Sequence, residues 1–128
     1  MKDFVLKHKK GVSVFVCLFL IFIGCFGFPI YNFSPDAPQI SRWINVLVCI
    51  AAYYEIGTVQ SALYESKNWR KASLVVLIMT VLGLLCRYLL EFGEVSNIYN
   101  FTLPNVLLHL IAAVCISGFA FSYTHGDY

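Results

Sequence analysis

Residues 12–30 read VSVFVCLFLIFIGCFGFPI, a run from Val12 to Ile30 in which no side chain is charged. At about 1.5 Å of helical rise per residue, such a run crosses most of the roughly 30 Å hydrocarbon layer of a bilayer. It contains Gly24, Gly27 and the thiols of Cys17 and Cys25. Three runs of similar length follow: Trp43–Tyr64 with one acid at Glu55, Ala72–Phe92 with Arg87 and Glu91 near its far end, and Leu103–Tyr123 with His109. Together the four account for about two-thirds of the chain of 128 residues.

Composition excludes a water-soluble domain. Hydrophobic residues make up 59% and charged residues 12%, with a mean hydropathy of +0.75. Soluble domains are about a quarter charged, and nine basic with seven acidic residues cannot clothe a surface of this size. The apolar surface must face lipid, where every backbone polar group needs a partner inside the protein, so helices or a closed barrel are required. Continuous apolar runs without alternation exclude the barrel. The expected fold is all-α: one integral membrane domain over residues 1–128, a four-helix antiparallel bundle. Its loops are Asn32–Pro38, Ser66–Lys71 and Gly93–Thr102, with Pro104 opening the last helix. Loops this short make consecutive helices the expected packing neighbours.

Charge sets the orientation. Lys2, Lys7, Lys9 and Lys10 precede the first run, and Lys67, Arg70 and Lys71 lie between the second and third, which places seven of the nine basic residues on one side. The opposite connections contribute Arg42 alone, the ninth being the intramembrane Arg87. Both termini are therefore expected in the cytoplasm, in a multi-pass protein of the bacterial inner membrane. Trp69 and Tyr64 would line the inner interface, and Tyr31, Trp43, Tyr99 and Phe101 the outer one. The basic start also offers some affinity for anionic lipid. A lipoprotein-type export signal is the competing reading of the first run, because Phe22-Ile23-Gly24-Cys25 follows a basic start and an apolar core. The run continues past Cys25 to Ile30, and phenylalanine is a poor residue three positions before the cysteine, so an uncleaved first span is expected.

Cys17, Cys25, Cys49, Cys86 and Cys115 form no C-x-x-C pair and have no ligand-spaced histidine, so they read as small apolar residues; no metal site or cofactor is expected. A bis-histidine haem lacks its second ligand, since of His8, His109 and His125 only His109 lies in a span. The sequons Asn32-Phe33-Ser34 and Asn100-Phe101-Thr102 fall on the outer side, too close to the spans for ready glycosylation.

The informative residues are the ionisable ones within the spans, because a charge near mid-bilayer costs about 3 kcal/mol on insertion scales. Asn45, Val48, Ala52, Glu55, Thr58, Val59 and Ala62 recur at helical spacing as a stripe of small and polar side chains, expected to face inward. The last helix has a comparable line in Asn105, His109, Ala112, Ala113 and Ser117. The third supplies Thr80, Gly83, Arg87 and Glu91, with Arg87 and Glu91 four apart on one face. Counted from the outer ends, Arg87 and His109 lie roughly 8 to 9 Å deep and Glu55 roughly 18 Å. Glu55, Arg87, Glu91 and His109 are the candidate polar cluster, either a structural network or a ligand or proton site, with Arg87 bound by Glu91, Glu55 or both.

No G-x-S-x-G, H-E-x-x-H, phosphate loop or paired aspartates occurs, and no enzymatic activity is expected. Gly83-x-x-x-Arg87, the Gly93-Glu94 loop and Pro104 opening a helix that carries His109 make the last third of the chain resemble the DoxX-like group of small four-helix bacterial membrane proteins. That resemblance implies the architecture; where an acid would stand in the last helix this chain has His109. Two function classes follow. One is a non-enzymatic interaction or accessory subunit, immunity-type proteins included, docking on a larger membrane assembly. The other is a minimal proton-coupled or lipophilic-ligand carrier using Glu55, Arg87 and His109, working as a dimer. Expected partners are the lipid bilayer and another membrane protein or a second copy, and no nucleic acid.

Overall fold

The computed structural model describes residues 2–28, 30–31, 38–92 and 101–126. Asn32 and Asn100 of the sequons, the Gly93-Glu94 pair and Tyr99 lie outside the described residues. Every regular element among those described is helical: α1 (Lys2–Lys7), α2 (Lys9–Gly27), α3 (Gln39–Leu63), a 3-10 turn (Ser66–Asn68), α4 (Trp69–Leu90) and α5 (Leu103–Gly126). Helices α2 to α5 are the four long and apolar enough to cross a membrane. Their outward surface is apolar, with Phe15, Leu18, Leu47, Leu85, Leu89 and Ile111 all exposed.

Local chemistry explains the ends. Helix α2 stops at Gly27, short of Ile30, because Phe28 is extended (φ −76, ψ 140) immediately before Pro29, and a residue preceding proline is pushed out of helical geometry. Helix α3 begins at Gln39, ahead of Trp43, from Pro38, whose carbonyl accepts a hydrogen bond from the Ser41 hydroxyl at 2.9 Å. Pro104 stands in the first turn of α5, where its missing N–H would have had no partner, and Thr102 Oγ1 accepts from the Asn105 N–H at 3.4 Å. The short α1 was not expected; it buries Val5 while Phe4 and Leu6 stay exposed, and it packs against α3.

The packing order corrects the expectation that consecutive helices are the main neighbours. The closest pairs are α2 with α4 and α3 with α5. Contacts of α4 with α5 and of α2 with α3 close the ring, and α3 meets α4 chiefly near their connection, where Gln60 Nε2 donates to Ala72 O at 3.2 Å. The paired helices run in the same direction. Tyr53 meets His109 and, further along, Gly57 meets Ser117 and Ala120, while Cys25 and Arg87 meet near the carboxyl ends of α2 and α4. Glycine permits both approaches. A Cβ on Gly83 would lie 2.5 Å from Ile21 O and 2.8 Å from Gly24 Cα, and one on Gly57 would overlap Ser117 O and stand 2.8 Å from the Ala120 Cβ. Without a hydrophobic drive between helices in lipid, close backbone contact at small residues is what holds such pairs.

Candidate functional site

Arg87, near the end of α4 away from the basic amino-terminal segment, is held twice. Its Nη2 pairs with Glu91 Oε1 at 2.8 Å, one helical turn on, and its Nη1 donates to Cys25 O at 2.9 Å. That carbonyl needs a side-chain donor, since the residue four positions on is Pro29, which has no N–H to give. The carbonyls that follow are taken from α3: Asn45 Nδ2 donates to Gly27 O at 2.9 Å and Ile30 O at 3.2 Å, and Cys49 Sγ reaches Gly27 O at 3.6 Å. The Gly24–Gly83 crossing sits one turn away and sets this reach. Arg87 therefore caps a neighbouring helix, with its charge balanced by Glu91.

His109 lies elsewhere, in the interior. Its Nε2 shares a 2.7 Å hydrogen bond with the Tyr53 hydroxyl, and both residues are 0% exposed. Since a phenol can donate or accept, the pair works with either imidazole tautomer. Phe28 stands edge-on to the imidazole at 5.5 Å and continues into Phe101 at 4.6 Å. Thr80 Oγ1, on α4, and His109 Nδ1 are buried and have no hydrogen-bond partner among the described residues. The line Asn105, His109, Ala113 and Ser117 faces inward as expected, with Ala112 half-buried.

Glu55 is the correction. The inward face of α3 is Cys49, Tyr53, Ile56, Gly57 and Gln60, and Glu55 is exposed, on a surface shared with Leu47, Val48 and Ala51. The expected stripe was rotated by about one residue, or ~100°. Packing volume decided the matter: Tyr53 fills the interior and Gly57 admits Ser117, whereas the stripe through Glu55 offers neither. Among the described residues Glu55 makes no ion pair or hydrogen bond. Glu55, Arg87 and His109 thus do not form one cluster. Arg87 is joined to Glu91, His109 to Tyr53, and Glu55 stands apart on the outside.

Sequence reasoning passed over Tyr53 and Gln60. Their signal was the spacing of Cys49, Tyr53, Gly57 and Gln60 on one helical face. At the end that carries the basic amino-terminal segment, a cavity of about 260 Å³ opens between α3, α4 and α5, lined by Gln60, Trp69, Ser73, Ser117 and Ser122. Among the described residues no three His, Cys, Asp or Glu side chains converge as a metal-binding group. No family model matches the chain, and comparison with curated proteins and solved structures finds no significant similarity.

Proposed function

We propose that this chain is a non-enzymatic interaction subunit of the bacterial inner membrane, an antiparallel four-helix bundle with both termini in the cytoplasm, that docks through α3 on a larger membrane assembly; immunity-type protection is one form of that role. The observation that carries the reading is Glu55, exposed on an otherwise apolar helix face. At the helical rise it lies roughly 12 Å from Leu63 and roughly 18 Å from Trp43, beyond the reach of its short side chain to either interface. Left in lipid it carries a penalty of about 3 kcal/mol, which a partner's polar group would relieve. Tyr53, His109, Gln60 and Arg87 are engaged in bonds between helices of the bundle. The resemblance to the DoxX-like group supports this layout and brings no activity with it.

A photo-reactive amino acid at Ala51 or Glu55 in living cells is expected to give one discrete protein adduct, absent when it replaces Leu85 on α4. Lipid adducts alone at all three positions would remove the reading. The seven-to-one split of basic residues supports the orientation, and reporters fused after Tyr128 and inserted between Lys67 and Arg70 should both read cytoplasmic. A second reading, a dimeric carrier for protons or a lipophilic ligand, is favoured by the serine-lined cavity and by His109 deeper in the bundle. It requires Arg87 to bind an anion while engaged with Glu91 and Cys25.

A further inference from the structure

We infer that the partner of the Glu55 face is a transmembrane helix bearing a lysine or arginine near its midpoint, an inference that rests on the interaction-subunit reading. Three observations converge. Glu55 stands exposed near mid-membrane without an ion pair or hydrogen bond among the described residues. One turn before it, Ala51 is exposed and carries a single methyl group, so a neighbouring helix can approach the backbone there, with Leu47 and Ile44 extending the contact along the same face. The third observation concerns what this chain cannot supply. Its cations sit near the helix ends: Lys2, Lys7, Lys9, Lys10, Lys67, Arg70 and Lys71 towards one end of the bundle, Arg42 and Arg87 at the other.

A second copy in the same membrane, laid against this face, would therefore place a carboxylate opposite a carboxylate. Its nearest cations would lie about eight helical residues away, roughly 12 Å along the normal. Charge complementarity selects a different chain. A basic side chain at matching depth would form a charge-assisted hydrogen bond in a low-dielectric medium, stronger than the same pair in water, and would remove two isolated charges from lipid at once. Each partner is unfavourable alone in the bilayer, which makes the pairing selective as well as attractive.

The test uses the full-length protein, fluorescently labelled in phosphatidylcholine vesicles, with an acceptor-labelled leucine–alanine transmembrane peptide carrying one lysine at its midpoint. A central lysine matches Glu55 to within about a turn in either peptide orientation. Energy transfer should report association on the order of ten-fold stronger than with a peptide bearing leucine at that place. Glu55→Leu should abolish the difference, and Glu55→Lys should transfer the preference to a peptide with a central glutamate, which distinguishes lost pairing from lost folding. Equal association of the lysine and leucine peptides overturns the inference, as does Glu55-dependent self-association without peptide. If the peptides fail while the cellular adduct at Ala51 persists, the basic partner is wrong and the interaction-subunit reading stands. If both fail, that reading falls as well.

Discussion

The two same-direction helix pairs solve one problem differently. Where α2 meets α4, the contact is glycine on glycine and the polar link lies at one end, with Arg87 reaching the carbonyl of Cys25. Where α3 meets α5, a single Gly57 faces the Ser117 backbone, and the polar link is the Tyr53–His109 bond between two fully buried side chains. The first pair takes its fourth-residue acceptor from a proline-interrupted backbone and so could use a charged donor; the second has intact helices and relies on neutral side chains. In lipid, where apolar burial does not discriminate one helix face from another, a close backbone approach plus one polar bond fixes the register of each pair.

The comparison breaks most visibly at its glycines. Gly57→Ala forces a methyl group onto backbone that cannot step aside, and about 3 kcal/mol of stability should be lost in thermal or denaturant unfolding of the detergent-solubilised protein. Gly83→Ala should lose about 2 kcal/mol, since the backbone it would meet, Ile21 O at 2.5 Å, is less closely overlapped than Ser117 O is at Gly57. A larger loss at Gly83 than at Gly57 would reverse the ranking of the two contacts. The polar links come next. Tyr53→Phe leaves the His109 imidazole without its partner and should lower stability by about 1 kcal/mol, with Arg87→Lys costing less because the ammonium can still reach Glu91. Equal losses would mean that the two links carry similar weight. The smallest effect is expected at Gly118, where a Cβ meets nothing within 4 Å: Gly118→Ala should change stability by no more than about 0.5 kcal/mol.

Much of this was legible in the chain. The four spans followed from run length and charge alone, and their ends shifted by about a turn: α2 and α4 begin at Lys9 and Trp69, ahead of Val12 and Ala72, α3 begins early after Pro38, α2 stops where Phe28 precedes Pro29, α4 stops at Leu90, and α5 runs on to Gly126. The i to i+4 spacing of Arg87 and Glu91 foretold their pairing, and the small-residue line through His109 foretold its burial. The face of α3 was misread because Glu55 was used to locate the interior. In a soluble helix a carboxylate points outward by default; assuming the opposite in a membrane helix overlooked the possibility that the outside is itself an interface. Gly57, whose missing side chain marks the closest approach, was the better guide. Tyr53 was invisible to a search for charged residues, although a tyrosine hydroxyl in mid-span needs a partner just as a charge does.

Pairing between alternate helices also sets an order of biogenesis. Helix α2 enters the membrane before its partner α4 has been synthesised, and with Pro29 downstream the Cys25 carbonyl has no backbone donor until Arg87 arrives two spans later. The first hairpin, α2 with α3, is held in the meantime mainly by Asn45 and Cys49 on the carbonyls of Gly27 and Ile30. A nascent chain halted after its second span would therefore be a loosely associated hairpin with both glycine faces uncovered, a natural substrate for membrane quality-control proteases, while α4 closes the first pair and α5, last to be made, closes the second.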